Sequence, residues 1–250
     1  MEVDWASLKV KSPRLYCFAI TIYNGAIIRN RAYYSVDENG ISETGNDIID
    51  DLIKNNLAQC FSRGYDEKQD IVKYDLHANL EKMALLYTML SNISIFNYHK
   101  VKAFKELTAK ANIAVENGTI GVKISSADYN IENLCLYFKC LQELTILESQ
   151  NFILNLCKTY NLNESICLPI GDNKLYLRLI ALDFSEEAFK LKLYFHFRET
   201  YNPSCFLGVF EGSPNCPLIK EILKVNGSIW GFQIAILSNG EVTYNFYLKE

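Results

Sequence analysis

The feature that most constrains the fold is a pair of alternating segments at residues 117–140, NGTIGVKISSADYNIENLCLYFKC. Apolar residues occupy every second position on both sides of a short polar turn: Ile120, Val122 and Ile124 before it, Leu134, Leu136 and Phe138 after it. Because successive side chains of a strand point to opposite faces, one face of this segment is apolar and the other polar. The stretch therefore predicts a β-hairpin with one face packed against a core.

The same pattern recurs at residues 17–36, 177–198 and 230–249. Helical periodicity separates these hairpins, over about 46–60, 78–92, 98–111 and 141–160, whereas residues 61–76 break it. The chain therefore predicts an α+β fold of repeated ααββ units, with four antiparallel hairpins and with helices on their apolar face. We expect a single domain over residues 1–250.

The polar faces of the hairpins share a composition. The second strand of each carries a tyrosine with basic residues beside it: Tyr33 with Arg29 and Arg31, Tyr137 with Lys139, Tyr194 with Lys190, Lys192 and Arg198, and Tyr247 with Lys249. If the hairpins close into a barrel, this face becomes its lining. The predicted lining is then polar, cationic and rich in tyrosine.

Composition excludes several classes of function. The net charge of −4 argues against nucleic acid as a partner, because binding to its backbone needs a basic field. The eight cysteines form no Cys-x-x-Cys pair, so no zinc site is predicted. The sequence has no signal peptide and no apolar run long enough to cross a membrane. We therefore expect a cytoplasmic protein with free thiols and no membrane partner.

Residues 96–140 resemble the cyanobactin prenyltransferases, which have the ABBA (αββα barrel) fold. The resemblance lies in FNY, the following helix with Phe104, and NGTIGVKIS with the turn that leads to LCLYFKC. IIRNRAYYS in the first hairpin and LDF at 182–184 fit the same scheme more loosely. The resemblance implies transfer of a dimethylallyl, geranyl or longer isoprenyl group from its diphosphate to a ribosomally made peptide acceptor, assisted by Mg²⁺.

The predicted lining suits that chemistry. A leaving diphosphate needs several cations to neutralise the charge that develops as its bond breaks. The resemblance matches Arg31, Lys123 and Lys139 to this role, while alternation alone adds Arg29, Lys192 and Arg198. An allylic cation needs aromatic faces that stabilise it and keep water away, and the candidates for this shield are Tyr33, Tyr137, Tyr194 and Tyr247.

One position departs from the family. Its members commonly carry a glutamate on the first strand, as a base that deprotonates the acceptor. Cys17 stands at the matching position here. Either another group such as His196 or Asp183 acts as the base, or the acceptor differs, or the barrel has lost activity.

Two other functions stay open at this point. A triphosphate tunnel hydrolase is also a barrel lined by cations, but it needs metal-binding glutamates in an ExExK run, which the sequence lacks. A non-catalytic or degenerate barrel that binds an apolar or anionic ligand is the other alternative, and Cys17 favours it.

Overall fold

The alternating segments of the sequence form ten strands in the computed structural model, which describes residues 15–36, 41, 43–66, 71–164, 175–197, 216–218, 220–221 and 229–248. The strands are β1 (Leu15–Tyr23), β2 (Ala26–Ser35), β3 (Ala58–Asp66), β4 (Ile71–Ala78), β5 (Val115–Ser125), β6 (Ile131–Thr145), β7 (Leu175–Ser185), β8 (Phe189–Phe197), β9 (Ile229–Leu237) and β10 (Val242–Leu248).

Every strand pairs antiparallel with its neighbours in the chain, and β1 pairs with β10 to close the barrel. Ile20 of β1 lies opposite Phe246 of β10 at this closure. The first hairpin turns at Asn24 and Gly25, whose φ angles of 46° and 77° are both positive, as a two-residue turn between twisted strands requires. The prediction of an antiparallel barrel is confirmed.

In the described ranges, four helices of eight residues or more pack on the outside of the barrel, together with a short 3₁₀ turn (Leu80–Lys82). The helices are α1 (Asp47–Lys54), α2 (Met83–Leu90), α3 (Tyr98–Lys110) and α4 (Ile146–Thr159). Phe104 of α3 contacts Phe138 of β6, with ring centroids 4.4 Å apart. The apolar face of each hairpin therefore forms the core between barrel and helices, as the alternation predicts.

The prediction was wrong about the number of hairpins. Residues 58–78 form a fifth hairpin, β3 and β4, where the sequence pattern had suggested the end of a helix and an irregular stretch. A register shift between Cys60 and Ser62 interrupts the strand alternation there, which hides the hairpin from the pattern. The helix predicted over 46–60 accordingly ends at Lys54.

The helix predicted over 141–160 begins five residues later than expected, at Ile146, because β6 continues to Thr145. A capping box of Thr145 and Glu148 then starts the helix. The segment predicted as one helix over 78–92 is a 3₁₀ turn followed by α2, whereas the prediction over 98–111 is confirmed by α3.

The cysteines whose side chains the structure describes are free and buried: Cys60, Cys135, Cys140, Cys157 and Cys216. Cys135 packs with the residues inside the barrel and Cys140 belongs to the outer core, as expected for opposite faces of one strand. Burial raises the pKa of both thiols to about 11. None of the helices in the described ranges is long and apolar enough to cross a membrane.

Candidate active site inside the barrel

Strand register defines the inner face of the barrel, because directly opposed residues on antiparallel strands point to the same side of the sheet. Tyr137, for example, lies opposite Ala181 of β7, and Tyr194 lies opposite Gln233 of β9. The inner face defined in this way includes Arg31, Tyr33, Lys73, Asp75, Lys123, Tyr137, Asp183, Lys190, Lys192, Tyr194, His196, Gln233, Asn245 and Tyr247.

Four tyrosines and a lysine meet inside the barrel. The ring centroid of Tyr194 lies 5.7 Å from that of Tyr137 and 6.0 Å from that of Tyr247. Tyr247 also packs beside Tyr33. Lys73 of β4 closes the circle, since its Nζ lies 4.9 Å from the ring centroid of Tyr33 and 5.5 Å from that of Tyr137. We call these five residues the tyrosine cage.

Two glycines leave room for the cage. A Cβ atom at Gly121 would lie 2.9 Å from Cε2 of Tyr137 and 3.1 Å from its hydroxyl oxygen. A Cβ atom at Gly64 would lie 3.0 Å from two ring atoms of Tyr33. Glycine inside a strand is the residue that permits such close approach. The two rings therefore lie across the backbone of a neighbouring strand.

Burial keeps the phenols of Tyr137, Tyr194 and Tyr247 neutral. Tyr137 and Tyr194 are 6% and 8% exposed, and burial raises the pKa of both well above its ordinary value. Burial and the neighbouring Tyr33 also raise the pKa of Tyr247. The rings therefore present uncharged aromatic faces to the lumen at neutral pH, which is the state that attracts a cation.

An ion pair lies on the β6–β8 side of the lumen. Asp183 is 1% exposed, pairs with Lys192 and accepts a hydrogen bond from the side-chain amide of Asn133. Burial by itself would raise the pKa of Asp183, but Lys192, Lys123 and Lys190 together lower it. Burial likewise opposes the charge on Lys192, but Asp183 raises its pKa overall. Both partners therefore stay charged.

A second ion pair joins Lys73 of the cage to Asp75. Nζ of Lys73 lies 2.8 Å from Oδ1 of Asp75, and the Ser62 hydroxyl donates to Oδ2 of Asp75 at 2.8 Å. Burial alone would lower the pKa of Lys73, but the neighbouring Asp75 carboxylate raises it overall. The side chains of Lys73 and Asp75 keep 14% and 12% of their exposure, so the lumen reaches both.

The β1–β10 side of the lumen is lined by hydrogen-bonding groups. Arg31 donates to the Thr21 hydroxyl at 2.7 Å and to Oδ1 of Asn245 at 2.8 Å. Gln233 is 2% exposed and accepts from the Tyr247 hydroxyl at 2.9 Å. Its Nε2 has no hydrogen-bond partner in the described part of the chain. A buried donor of this kind costs stability unless something accepts from it, so it points to a ligand atom in the lumen.

The inner face carries a surplus of positive charge. Among the described side chains, the buried or half-buried basic residues of this face are Arg31, Lys73, Lys123, Lys190 and Lys192. Its carboxylates among those side chains are Asp75, Asp183 and Glu116, which lies opposite Lys139. Such a lining attracts an anion into a low-dielectric space.

The predicted site residues fall into three groups: those on the inner face, one that is exposed, and those whose side chains lie outside the described residues. The structure brings Arg31, Lys123, Lys192 and the four tyrosines to the inner face, while Lys139 lies in the same register but is exposed. The backbones of Cys17 and Arg29 lie opposite Tyr33 and Thr21. The side chains of those two residues, and all of Arg198, lie outside the described residues.

Sequence reasoning missed Lys73, Asp75 and Gln233. The first two lie on β4, which the pattern did not identify as a strand. The available signal was the segment VKYDLHA, whose alternation places Lys73 and Asp75 on one face. Gln233 lies in a strand that the pattern identified, but no sequence pattern shows that the nitrogen of its inward-facing amide lacks a hydrogen-bond partner.

The two candidate bases differ in their surroundings. Asp183 is committed to its ion pair with Lys192. His196 lies on the inner face opposite Gly231, and burial together with Arg178 lowers the pKa of its imidazole. His196 is therefore neutral at neutral pH and able to accept a proton.

The residues present do not fit a protein-bound Mg²⁺. The described chain contains no group of three His, Cys, Asp or Glu side chains able to hold a metal ion. Asp75 and Asp183, the oxygen ligands nearest the cage, are each paired with a lysine. The groups of the lumen that can neutralise a bound anion are therefore lysine and arginine side chains.

No protein-family model matches the chain, and no curated protein matches it in sequence. Solved structures do match. AnaPT from Neosartorya fischeri superposes with a TM-score of 0.61 at 10% identity, covering 97% of this chain and 79% of AnaPT. The 5-dimethylallyltryptophan synthase from Streptomyces coelicolor gives 0.58 at 11% identity, with 93% and 80% coverage.

The prenyltransferase PriB in its apo form gives a TM-score of 0.56 at 10% identity, covering 93% of this chain and 79% of PriB. The similarity to all three spans nearly the whole of this chain and about four-fifths of each neighbour. At these identities the comparison establishes the architecture. The chain has the closed antiparallel barrel of the ABBA prenyltransferase fold.

Proposed function

We propose that this protein is a prenyltransferase that moves a dimethylallyl or longer isoprenyl group from its diphosphate to a nucleophile inside the barrel. The observation that carries the proposal is the tyrosine cage with lysines beside it, in the lumen of a barrel with this fold. Neutral aromatic faces and basic side chains are the two kinds of group that an allylic diphosphate needs as it ionises.

The first step of the proposed reaction breaks the bond between the allylic carbon and the diphosphate oxygen. The electron pair leaves with the diphosphate, and the isoprenyl group becomes an allylic cation. Lys73 is the basic residue within 5.5 Å of two cage rings, so it is placed to hold the departing anion beside the site where the cation forms. Lys192, Lys123 and Arg31 supply further positive charge to the anion.

The cage then protects the cation. Tyr137, Tyr194 and Tyr247 lie side by side on the inner face and their phenols stay neutral, so their faces attract a positive carbon without reacting as phenolates. Their packing also limits the water that reaches the cation. The acceptor attacks the allylic carbon, forms the new bond and loses a proton. His196 is the residue that we propose as its base.

The acceptor is proposed to be a side chain or terminus of a ribosomally made peptide. The sequence resemblance at residues 96–140 supports this choice. The 5-dimethylallyl tryptophan synthase neighbour was solved with DMASPP and Trp, so free tryptophan is the competing acceptor. Mass spectrometry after incubation with dimethylallyl diphosphate and either tryptophan or tryptophan- and tyrosine-containing peptides separates the two. Prenylated peptide supports the proposal, and prenylation of tryptophan alone refutes the peptide acceptor.

Calorimetry with dimethylallyl and geranyl thiodiphosphates tests the diphosphate site directly. We expect micromolar binding to the wild type and a loss of about tenfold or more in Lys123→Met, because one charge-assisted contact is removed. Lys110→Met is the matched control, since Lys110 lies exposed on α3. If neither thiodiphosphate binds, the prenyltransferase proposal fails and a barrel that binds another ligand becomes the better account.

A further inference from the structure

A separate pocket lies outside the barrel, between the 3₁₀ turn, helices α2 and α3, and strands β5 and β6. Its volume is about 350 Å³, within the range of small-molecule sites. Met83, Ile113 and Phe138 give it an apolar lining. Phe138 points away from the lumen, which its neighbour Tyr137 faces, so the barrel separates this pocket from the cage.

The pocket has a polar side built around Tyr87. Nζ of Lys105 lies 4.4 Å from the centroid of the Tyr87 ring. At the hydroxyl of that ring, the Asn117 amide donates to the Tyr87 oxygen at 2.7 Å. A short ligand that lies against Tyr87 therefore meets an ammonium over the ring face and an amide beside the hydroxyl.

Asn117 is the unusual member of this group. It is 8% exposed, and its Oδ1 has no hydrogen-bond partner among the described residues. Buried side-chain oxygens are rarely left in this state, because the unmade hydrogen bond costs free energy. Turning the amide by half a rotation would direct Nδ2 to the same place, so in either orientation one polar atom is offered to a ligand.

Lys105 supplies the charge. Lys105 as a whole is exposed, but packing over the Tyr87 ring partly desolvates its ammonium and lowers its pKa, and a bound anion would offset that desolvation. No carboxylate in the described ranges forms an ion pair with it. Lys105 is exposed on α3, which places the charged end of a ligand at the pocket mouth and its apolar body against Met83 and Phe138.

We propose that this pocket binds a small amphipathic carboxylate that carries a hydroxyl group, with the carboxylate at Lys105, the hydroxyl at Asn117 and the apolar body between them. The site is independent of the reaction proposed for the lumen.

The test uses three matched probes and the full chain. The probes are 6-hydroxyhexanoate, hexanoate, which lacks the hydroxyl, and the methyl ester of 6-hydroxyhexanoate, which lacks the charge. Their dissociation constants are measured by amide chemical-shift titration of labelled protein. We expect 6-hydroxyhexanoate to bind about tenfold more tightly than its ester and about fivefold more tightly than hexanoate.

Variants then assign each preference to its residue. Lys105→Met should remove the difference in affinity between the acid and its ester. Asn117→Leu should remove the difference in affinity between the acids with and without the hydroxyl. Ala109→Phe should block all three probes, because Ala109 lines the pocket from an exposed position where the larger side chain does not disturb the core. Lys102→Met is the control on the same helix and should bind like the wild type.

Three results would overturn the proposal. The first is equal affinity for acid and ester in the wild type. The second is a charge preference that survives in Lys105→Met. The third is a set of shifted amides around Lys73 and Tyr247, which would place the probe in the barrel lumen. If Asn117→Leu fails to fold, Lys105→Met and Ala109→Phe still decide the outcome.

Discussion

Replacing Lys73 with methionine tests the most closely packed part of the lumen. Lys73 contacts the faces of Tyr33 and Tyr137 and pairs with Asp75 at 2.8 Å. Methionine keeps the length of the side chain but removes the charge, so Asp75 is left with the Ser62 hydroxyl as its donor. Removing one partner of a buried ion pair costs about 3–5 kcal/mol.

The cost here should be smaller. The side chain of Asp75 keeps 12% of its exposure and its bond from Ser62, so we expect Lys73→Met to lose about 2–3 kcal/mol of unfolding free energy. Adding Asp75→Asn removes the uncompensated charge and should restore stability to within about 1 kcal/mol of wild type.

Ligand binding should respond differently. Loss of a charge-assisted contact of about 1.5–3 kcal/mol weakens dimethylallyl thiodiphosphate binding about 10- to 150-fold. The double variant should fold like the wild type and still bind weakly, since the cation is absent from both variants. Urea unfolding and titration calorimetry measure the two quantities. Wild-type affinity in the double variant would show that Lys73 does not hold the diphosphate, and an unchanged unfolding free energy in Lys73→Met would show that its pair with Asp75 does not stabilise the fold.

Three further outcomes are expected. The folded pKa of Asp183 lies below its ordinary value of 3.8, so its pair with Lys192 gives stability above pH 3.8 that is lost as the pH falls through the lower folded pKa. The unfolding free energy of Asp183→Asn should therefore fall less steeply below pH 3.8 than that of the wild type. Equal slopes would contradict this. Gly121→Ala should displace the Tyr137 ring and cost about 1–3 kcal/mol by thermal unfolding, whereas Gly118→Ala, with its nearest contact at 3.6 Å, should not. Chelating divalent ions should change the affinity for thiodiphosphate less than about twofold, because lysine side chains neutralise the diphosphate. A tenfold loss of affinity would show that a metal ion neutralises it instead.

The tyrosines of the lumen could be predicted because strict alternation fixes which face a residue occupies. Tyr33, Tyr137, Tyr194 and Tyr247 stand in strands whose apolar residues keep a period of two, so their shared face follows from sequence alone. Their contacts could not be predicted, because the separation of Tyr194 and Tyr247 depends on the register between strands distant in the chain.

Lys73 and Asp75 were not predicted from the sequence for the same reason. The register shift at Cys60 hides β3, and without β3 the short segment of β4 has no recognisable partner. Lys73 therefore lay in a stretch with no assigned structure. The helix predicted over 141–160 is too long for a different reason. Leu144 keeps helical spacing with Leu147, yet the ladder with β7 holds Leu144 in an extended conformation.

In the proposed reaction the lumen ionises an isoprenyl diphosphate, and phosphorus NMR of dimethylallyl diphosphate follows this ionisation through the diphosphate that is released. The protein is incubated with the diphosphate and with peptide or tryptophan acceptors, and released inorganic diphosphate is followed over time. We expect release by the wild type, matched by prenylated acceptor, and its loss in the folded variant that carries both Lys73→Met and Asp75→Asn. Release at the same rate by wild type and that double variant, or no release with any acceptor, would contradict the proposed reaction.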